Sequence, residues 1–274
     1  MKKVFLITEF GSPFSWTNEY IKNVGNLADT GWYWKIFTPN KYDNLPSNVE
    51  VIDMSAEQFA ELVEKKLGVK TNMYTSPLGV PSVHITDFYV ASGVIFEDYI
   101  KDADFWGITN MDIVYGRLSR FIPDELLKQC DIFSDDLQTI NGIFTLFRNT
   151  TPINNLFKQI PDWEAKFSQP ACPKCTTGEG GHTLFGTDEY DMTKVARECN
   201  WLTFIWPQYY PMHSHDRLEQ HRPNIKLSMK EDGSLWELFE DIGHPNWEHA
   251  RPFIGREILA FHFMKTKTWP NIAS

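Results

Sequence analysis

An α/β fold with a mainly parallel central sheet flanked by helices is what this sequence predicts, and three observations carry that expectation. From Lys3 to Gly68, apolar runs alternate with amphipathic stretches at the spacing of strand–helix–strand units. From Asp104 to Gly116, the run DFWGITNMDIVYG is apolar on both sides of Asp112. That is the pattern of a buried strand ending where a side chain meets a ligand, because α/β sheets hold ligands beyond the carboxyl ends of their strands. Finally, 274 residues with 42% hydrophobic content suffice for one large α/β domain, or one with an insertion.

Lys3 to Phe10 reads as the first strand, Gly11-Ser12-Pro13 as a turn, and Ser15 as the cap of a helix through about Leu27. Trp32 to Thr38 and Val49 to Met54 read as strands. Ser55 caps a helix whose apolar face is Phe59, Leu62 and Val63, and Gly68 ends it. Together these units predict a parallel sheet of Rossmann-like character, without the GxGxxG loop that cradles a dinucleotide. Lys70 to Val83 reads as a loop, followed by a helix to Ile100 with Thr86 or Asp87 as N-cap. Arg117 to Arg120 carries two cations, and Ile122 to Gln129 is a short helix with acidic residues in its first turn. Strands at Cys130–Phe133 and Ile143–Arg148, and a helix from Asn149 through Phe157, complete the regular pattern. Asp191 precedes MTKVARECN as the cap of a further helix.

A net charge of −10 argues against a broad nucleic-acid-binding face, which needs clustered Lys and Arg. No stretch has the length and apolar character of a membrane span, and the opening MKKVFLITEF is broken by Glu9, so a soluble, cytoplasmic protein is expected. Residues 169–182 are rich in Gly and Cys and read as an insertion. Within it Cys172 and Cys175 form a CxxC that, with Cys199 and His182, His213 or His215, would complete a structural Zn²⁺ site. Reduced, unligated cysteines are the other reading.

Several ordered blocks resemble a poorly characterised bacterial and phage family of glycosyltransferase-like proteins of the A-type fold. They are ITEFGSPFSWTNEYIKN, ITDFYVASGVIFEDYI, FWGITNMDIVYGRLSRFI, GIFTLFRNT, FGTDEYD and FHFMKTKTW. The resemblance implies a single domain over 1–274, with a donor half over about 1–120 and an acceptor half over about 121–274. It implies a nucleoside-diphosphate sugar as donor, a UDP-sugar foremost, and Mn²⁺ or Mg²⁺ as cofactor. Asn110-Met111-Asp112 stands where the family carries Asp-x-Asp, so Asp112 is implied as a metal ligand, with Asn110 offering a neutral carboxamide beside it. His262 would complete the metal shell, and Lys265 or Lys267 would meet the diphosphate. Thr8, Glu9, Phe10 and Gly11 are implied as nucleoside contacts, and Asp87 as a partner of sugar or ribose hydroxyls. Tyr89 stands where the family places a Lys. Asp188 or Glu189 would orient or deprotonate the acceptor hydroxyl. A carbohydrate acceptor is the default. A modified base of phage DNA is one alternative, and a catalytically inactive, zinc-stabilised binding module is another.

Overall fold

The computed structural model describes the chain apart from residues 29, 72–73, 76–80, 83–84, 135–139, 141, 169–190, 200–202, 206–211, 215–224, 240–254, 259, 263–271 and 274. For 74–75, 81–82, 85–87, 203–205, 212–214, 225–228, 237–239, 255–258, 260–262 and 272–273 the description is of the backbone.

The first elements follow the predicted order: β1 (Lys3–Thr8), α1 (Thr17–Gly25), β2 (Trp32–Thr38), β3 (Val49–Asp53) and α2 (Ala56–Leu67). Short strands β4 (Tyr74–Thr75) and β5 (Pro81–Ser82) pair as a ladder within the expected loop. α3 (Ser92–Ile95), β6 (Phe105–Thr109), β7 (Ile113–Tyr115), α4 (Leu118–Phe121) and α5 (Asp124–Leu127) come next. They are followed by β8 (Ile132–Ser134), β9 (Phe144–Arg148), α6 (Thr151–Asn154) and α7 (Trp163–Phe167). Beyond the helix Met192–Glu198 lie β10 (Thr203–Ile205), β11 (Met212–Ser214), β12 (Ile225–Met229), β13 (Leu235–Phe239), β14 (Gly255–Ile258), β15 (Ala260–His262) and β16 (Ile272–Ala273).

The central sheet has seven strands in the order β10-β8-β9-β6-β1-β2-β3. β6, β1, β2 and β3 run parallel, and β9 alone is antiparallel to its neighbours β6 and β8. The fold is therefore mixed α/β with a mainly parallel sheet flanked by helices. The sequence of β1 explains its central place. Val4 and Leu6 enter one core with Phe37, Phe59, Val63 and Trp106, whereas Phe5 enters the other with Tyr20, Trp34, Phe105 and Tyr115. A strand buried on both faces reads as a continuous apolar run. Each fully buried large side chain of this kind stabilises the fold by about 1.5–3 kcal/mol. At the opposite, N-terminal edge of β1, Lys3 is almost fully buried, its Nζ 2.8 Å from Asp124 Oδ1 and over the Trp32 ring.

Local capping signals succeed where the partner is close in sequence. Ser55 accepts from the Gln58 amide while the Gln58 side chain accepts from the Ser55 amide, and Gly68 ends α2 in the left-handed conformation. Four expectations are corrected, one of them the helix from Asn149 through Phe157, which is the short α6 followed by a 3₁₀ helix Leu156–Gln159. Ser15 does not cap α1: the N-cap is Trp16, with no side-chain cap bond, and its indole is drawn instead to a distant carbonyl. The segment before Ile100 is not one helix but a 3₁₀ helix Ile85–Ala91, the short α3 and a 3₁₀ turn Glu97–Tyr99. Its β-branched residues and Gly93 have weak helix propensity, and burial decides the path. The Trp106 ring lies 2.6 Å from where a Gly93 Cβ would stand. Asp191 makes no cap bond either, because its carboxylate is paired with Lys166 at 2.5 Å.

Candidate functional site

β1 and β6 are parallel neighbours, and the chain leaves both at the same sheet edge. After β6 come Asn110, Met111 and Asp112; after β1 comes the turn from Glu9 to Trp16. Met111 is buried, and Asn110 and Asp112 on either side of it are half-buried. The Trp16 indole Nε1 donates to the Met111 carbonyl at 3.0 Å, fastening the β1 turn to the acidic motif. Asn40, past the end of β2, donates through Nδ2 to the Gly11 carbonyl at 2.8 Å. The Glu9 amide donates to the Phe37 carbonyl at 3.0 Å. Loops from three adjacent strands thus meet at the carboxyl edge, the side on which open α/β sheets form the crevice that takes ligands.

A buried side chain sets where the motif leads. Asn23 of α1 accepts from the Tyr115 amide at 2.8 Å and donates to the Tyr115 carbonyl at 3.0 Å. One carboxamide so satisfies both backbone groups of a strand end. That strand, β7, does not join the central sheet. It pairs antiparallel with β15, with His262 opposite Ile113, and β15 pairs in turn with β11, with Ser214 opposite His262. The backbone of His262 therefore lies across the ladder from the residue that follows Asp112.

A family model matches residues 12–271 of the chain. The chain belongs to the family of unknown function DUF6625. No curated protein matches it. Among solved structures it is similar to the galactosyltransferase LgtC in complex with donor and acceptor sugar analogs, at 12% identity over 78% of this chain and 75% of that chain, TM-score 0.41. An active-site mutant of LgtC gives 10% identity over 96% and 87%, TM-score 0.46. The apo form of mouse xyloside xylosyltransferase 1 gives 11% identity over 98% and 99%, TM-score 0.44. Scores this low transfer no activity.

In this DUF6625 chain the predicted residues fall into three groups. Thr8, Glu9, Phe10, Gly11, Asn110 and Asp112 are gathered at the crevice, and the backbone register adds His262. Asp87 lies in the 3₁₀ helix Ile85–Ala91, with its side chain outside the description. Asp188, Glu189, Lys265, Lys267, Cys172 and Cys175 lie outside the described residues. Among the described residues no group of three His, Cys, Asp or Glu side chains is assembled to hold a metal. Arg117, one of the two cations that follow the motif, is paired with Asp232, Nη1 to Oδ2 2.9 Å.

Within the first group the side chains differ. Phe10 is buried, its ring 5.4 Å from that of Phe59, so it is a core residue of the turn. Glu9 is also buried, and its Oε2 accepts from the Tyr42 hydroxyl at 3.0 Å. Burial pushes the Glu9 carboxyl above its ordinary value of 4.5, against the bonds from Tyr42 and the Phe14 amide that favour the charged form. Burial, and then the charge of Glu9, push the Tyr42 phenol up as well. Gly11 is exposed, with nothing within 4 Å of where its Cβ would stand.

The sign of the Glu9 shift gives a pH prediction. An acid whose folded value is raised leaves the fold at full stability below the unfolded value. Stability is lost as pH rises through the folded value and the buried group takes on charge. Glu9→Gln keeps an acceptor for Tyr42 and removes that charge. The variant should melt above wild type at pH 7, with the gap closing towards pH 4.5. A gap that stays constant in differential scanning calorimetry across that range would mean that Glu9 ionisation carries no cost.

Sequence reasoning passed over Phe14 and Trp16. Their rings stack 4.7 Å apart at 6°, with Phe14 45% exposed and Trp16 buried. Two aromatics in the turn that leaves the first strand are the available signal. They give the crevice an exposed flat apolar face held by the same indole that grips the acidic motif.

Proposed function

We propose that this DUF6625 chain is a glycosyltransferase of the A-type fold, moving a sugar from a nucleoside-diphosphate sugar, a UDP-sugar foremost, to a hydroxyl of a carbohydrate acceptor. The observation that carries the reading is the pairing of His262 with Ile113, beside Asp112 at the carboxyl edge of β6. A carboxylate and an imidazole from chain segments so far apart suit one divalent cation, with Asn110 as a neutral oxygen donor. The donor set fits Mn²⁺ or Mg²⁺, which Asp112 and His262 would hold. Such an ion supplies Lewis-acid neutralisation of charge on a diphosphate.

The rest falls to the chain's own groups. Lys265 and Lys267 follow His262 closely and are suited to offset charge on the departing diphosphate. The Phe14 face suits a nucleobase, and the bare backbone at Gly11 admits a ligand close to the main chain. Asp87 is assigned to sugar or ribose hydroxyls. The acceptor oxygen bonds to the anomeric carbon as the bond to the phosphate oxygen breaks, and the electron pair leaves with the diphosphate. In an inverting reaction Asp188 or Glu189 takes the hydroxyl proton; in a retaining one they orient the acceptor and the proton passes to the departing diphosphate oxygen. Among the described residues no helix is long and apolar enough to cross a membrane.

A thermal-shift screen of UDP-, GDP-, CMP- and ADP-linked sugars, each with and without Mn²⁺, tests the reading. A ligand that binds the native state alone raises the melting temperature by mass action. The expected result is a Mn²⁺-dependent rise with a UDP-sugar. No rise with any donor would overturn the assignment.

A further inference from the structure

We infer that the chain carries a second carbohydrate site, a cleft for a neutral oligosaccharide between α1 and the β2–β3 connection. A cavity of about 650 Å³ lies there, within the size range of small-ligand sites. Its walls are built by a close approach. The Pro46 ring lies 2.7 Å from where a Gly25 Cβ would stand, so helix and loop touch at that point and the cleft opens beside it. The loop turns at Asn44, held at φ 55° in the left-handed region that asparagine tolerates better than most side chains.

The lining decides the ligand class. Asn18, Asn26 and Asn44 line it with exposed carboxamides whose side chains make no hydrogen bond to the described residues, so they are open to a ligand from solvent. A carboxamide both donates and accepts, as a sugar hydroxyl does, so a row of them matches a run of hydroxyls. Tyr42 adds a half-buried ring beside them, the kind of apolar face on which a sugar ring lies. Charge argues against a phosphate or other anion. Lys41 is paired with Asp53 at 2.5 Å, and the rest of the lining holds one cation, Lys22, and one anion, Asp43, so it carries no net charge. The few apolar lining groups argue against a lipid or an apolar peptide. The cleft is joined to the crevice through Tyr42, whose hydroxyl donates to Glu9, and yet its ligand does not depend on what the crevice transfers.

The test uses the full chain and a panel of neutral probes: maltohexaose, cellohexaose, xylohexaose and chitohexaose. Saturation-transfer NMR should show at least one binding at millimolar concentration. The variant pair Asn18→Ala and Asn44→Gly should then weaken it about tenfold, the loss of two neutral hydrogen bonds. Asn44→Gly relieves the positive φ, so the melting temperature of the pair should hold at or above wild type, which separates lost binding from lost fold. UDP with Mn²⁺ should not displace the probe. Absence of transfer from every probe, binding indifferent to both substitutions, or displacement by UDP would each overturn the second site. A failed donor screen would leave these outcomes untouched.

Discussion

Gly107→Ala is expected to lower the melting temperature by about 6–12 °C, the effect of a destabilisation near 3 kcal/mol in a chain of this size. Gly107 stands mid-strand in β6, paired with Phe5 of β1 on one side and Leu146 of β9 on the other. A Cβ there would meet Leu146 Cδ2 at 2.7 Å, Phe5 Cε1 at 2.8 Å and the Thr145 carbonyl oxygen at 2.8 Å. A leucine tip can rotate away, but a carbonyl in a ladder cannot move without breaking its pairing. Trimming Leu146 in the same chain should therefore rescue only part of the loss. Gly11→Ala is the control: nothing lies within 4 Å of its Cβ position, so the change should stay within about 0.5 kcal/mol. Equal melting temperatures for wild type and Gly107→Ala would show that β6 and β9 separate more easily than their contacts indicate.

That glycine marks how far the sequence could be read. The parallel half of the sheet was legible because β1, β2 and β3 are local apolar runs joined by short units. β2 has the bounds expected from WYWKIFT, and the Ser55 and Gly68 signals ended α2 where they stand. Each of those features depends on neighbours within a few residues. What was not legible depends on partners far along the chain. Gly107 is required by Phe5 and Thr145, the start of α1 by the bond of Trp16 to Met111, and the broken path before Ile100 by the Trp106 ring. Likewise Ile113 to Tyr115 is visible as an apolar run, but nothing local says that it is a strand outside the central sheet, paired with residues 260–262. At the site the acidic motif was visible as a carboxylate between two apolar runs. The inward turn of Glu9 and Phe10 was not, since it answers to Tyr42 and Phe59.

Asp112→Asn is expected to abolish the Mn²⁺-dependent part of donor binding while leaving the fold intact, because the amide keeps the volume and loses the charge. At a ligand concentration 100-fold above Kd, mass action stabilises the native state by about 2.7 kcal/mol, and the share of that shift that requires Mn²⁺ should disappear. His262→Ala should do the same from the other side of the ladder, since its backbone faces Ile113. The decisive quantity is the coupling between the two. Residues that hold one ion fail together, so the double variant should bind no more weakly than either single one, a departure from additivity that independent contacts do not give. Isothermal titration with the best UDP-sugar, with and without Mn²⁺, measures all four corners of that cycle. Additive losses would place Asp112 and His262 at separate tasks and dissolve the proposed metal centre. An unchanged Mn²⁺ dependence in His262→Ala alone would remove the imidazole from the shell, and the missing ligand would then be sought elsewhere along the chain.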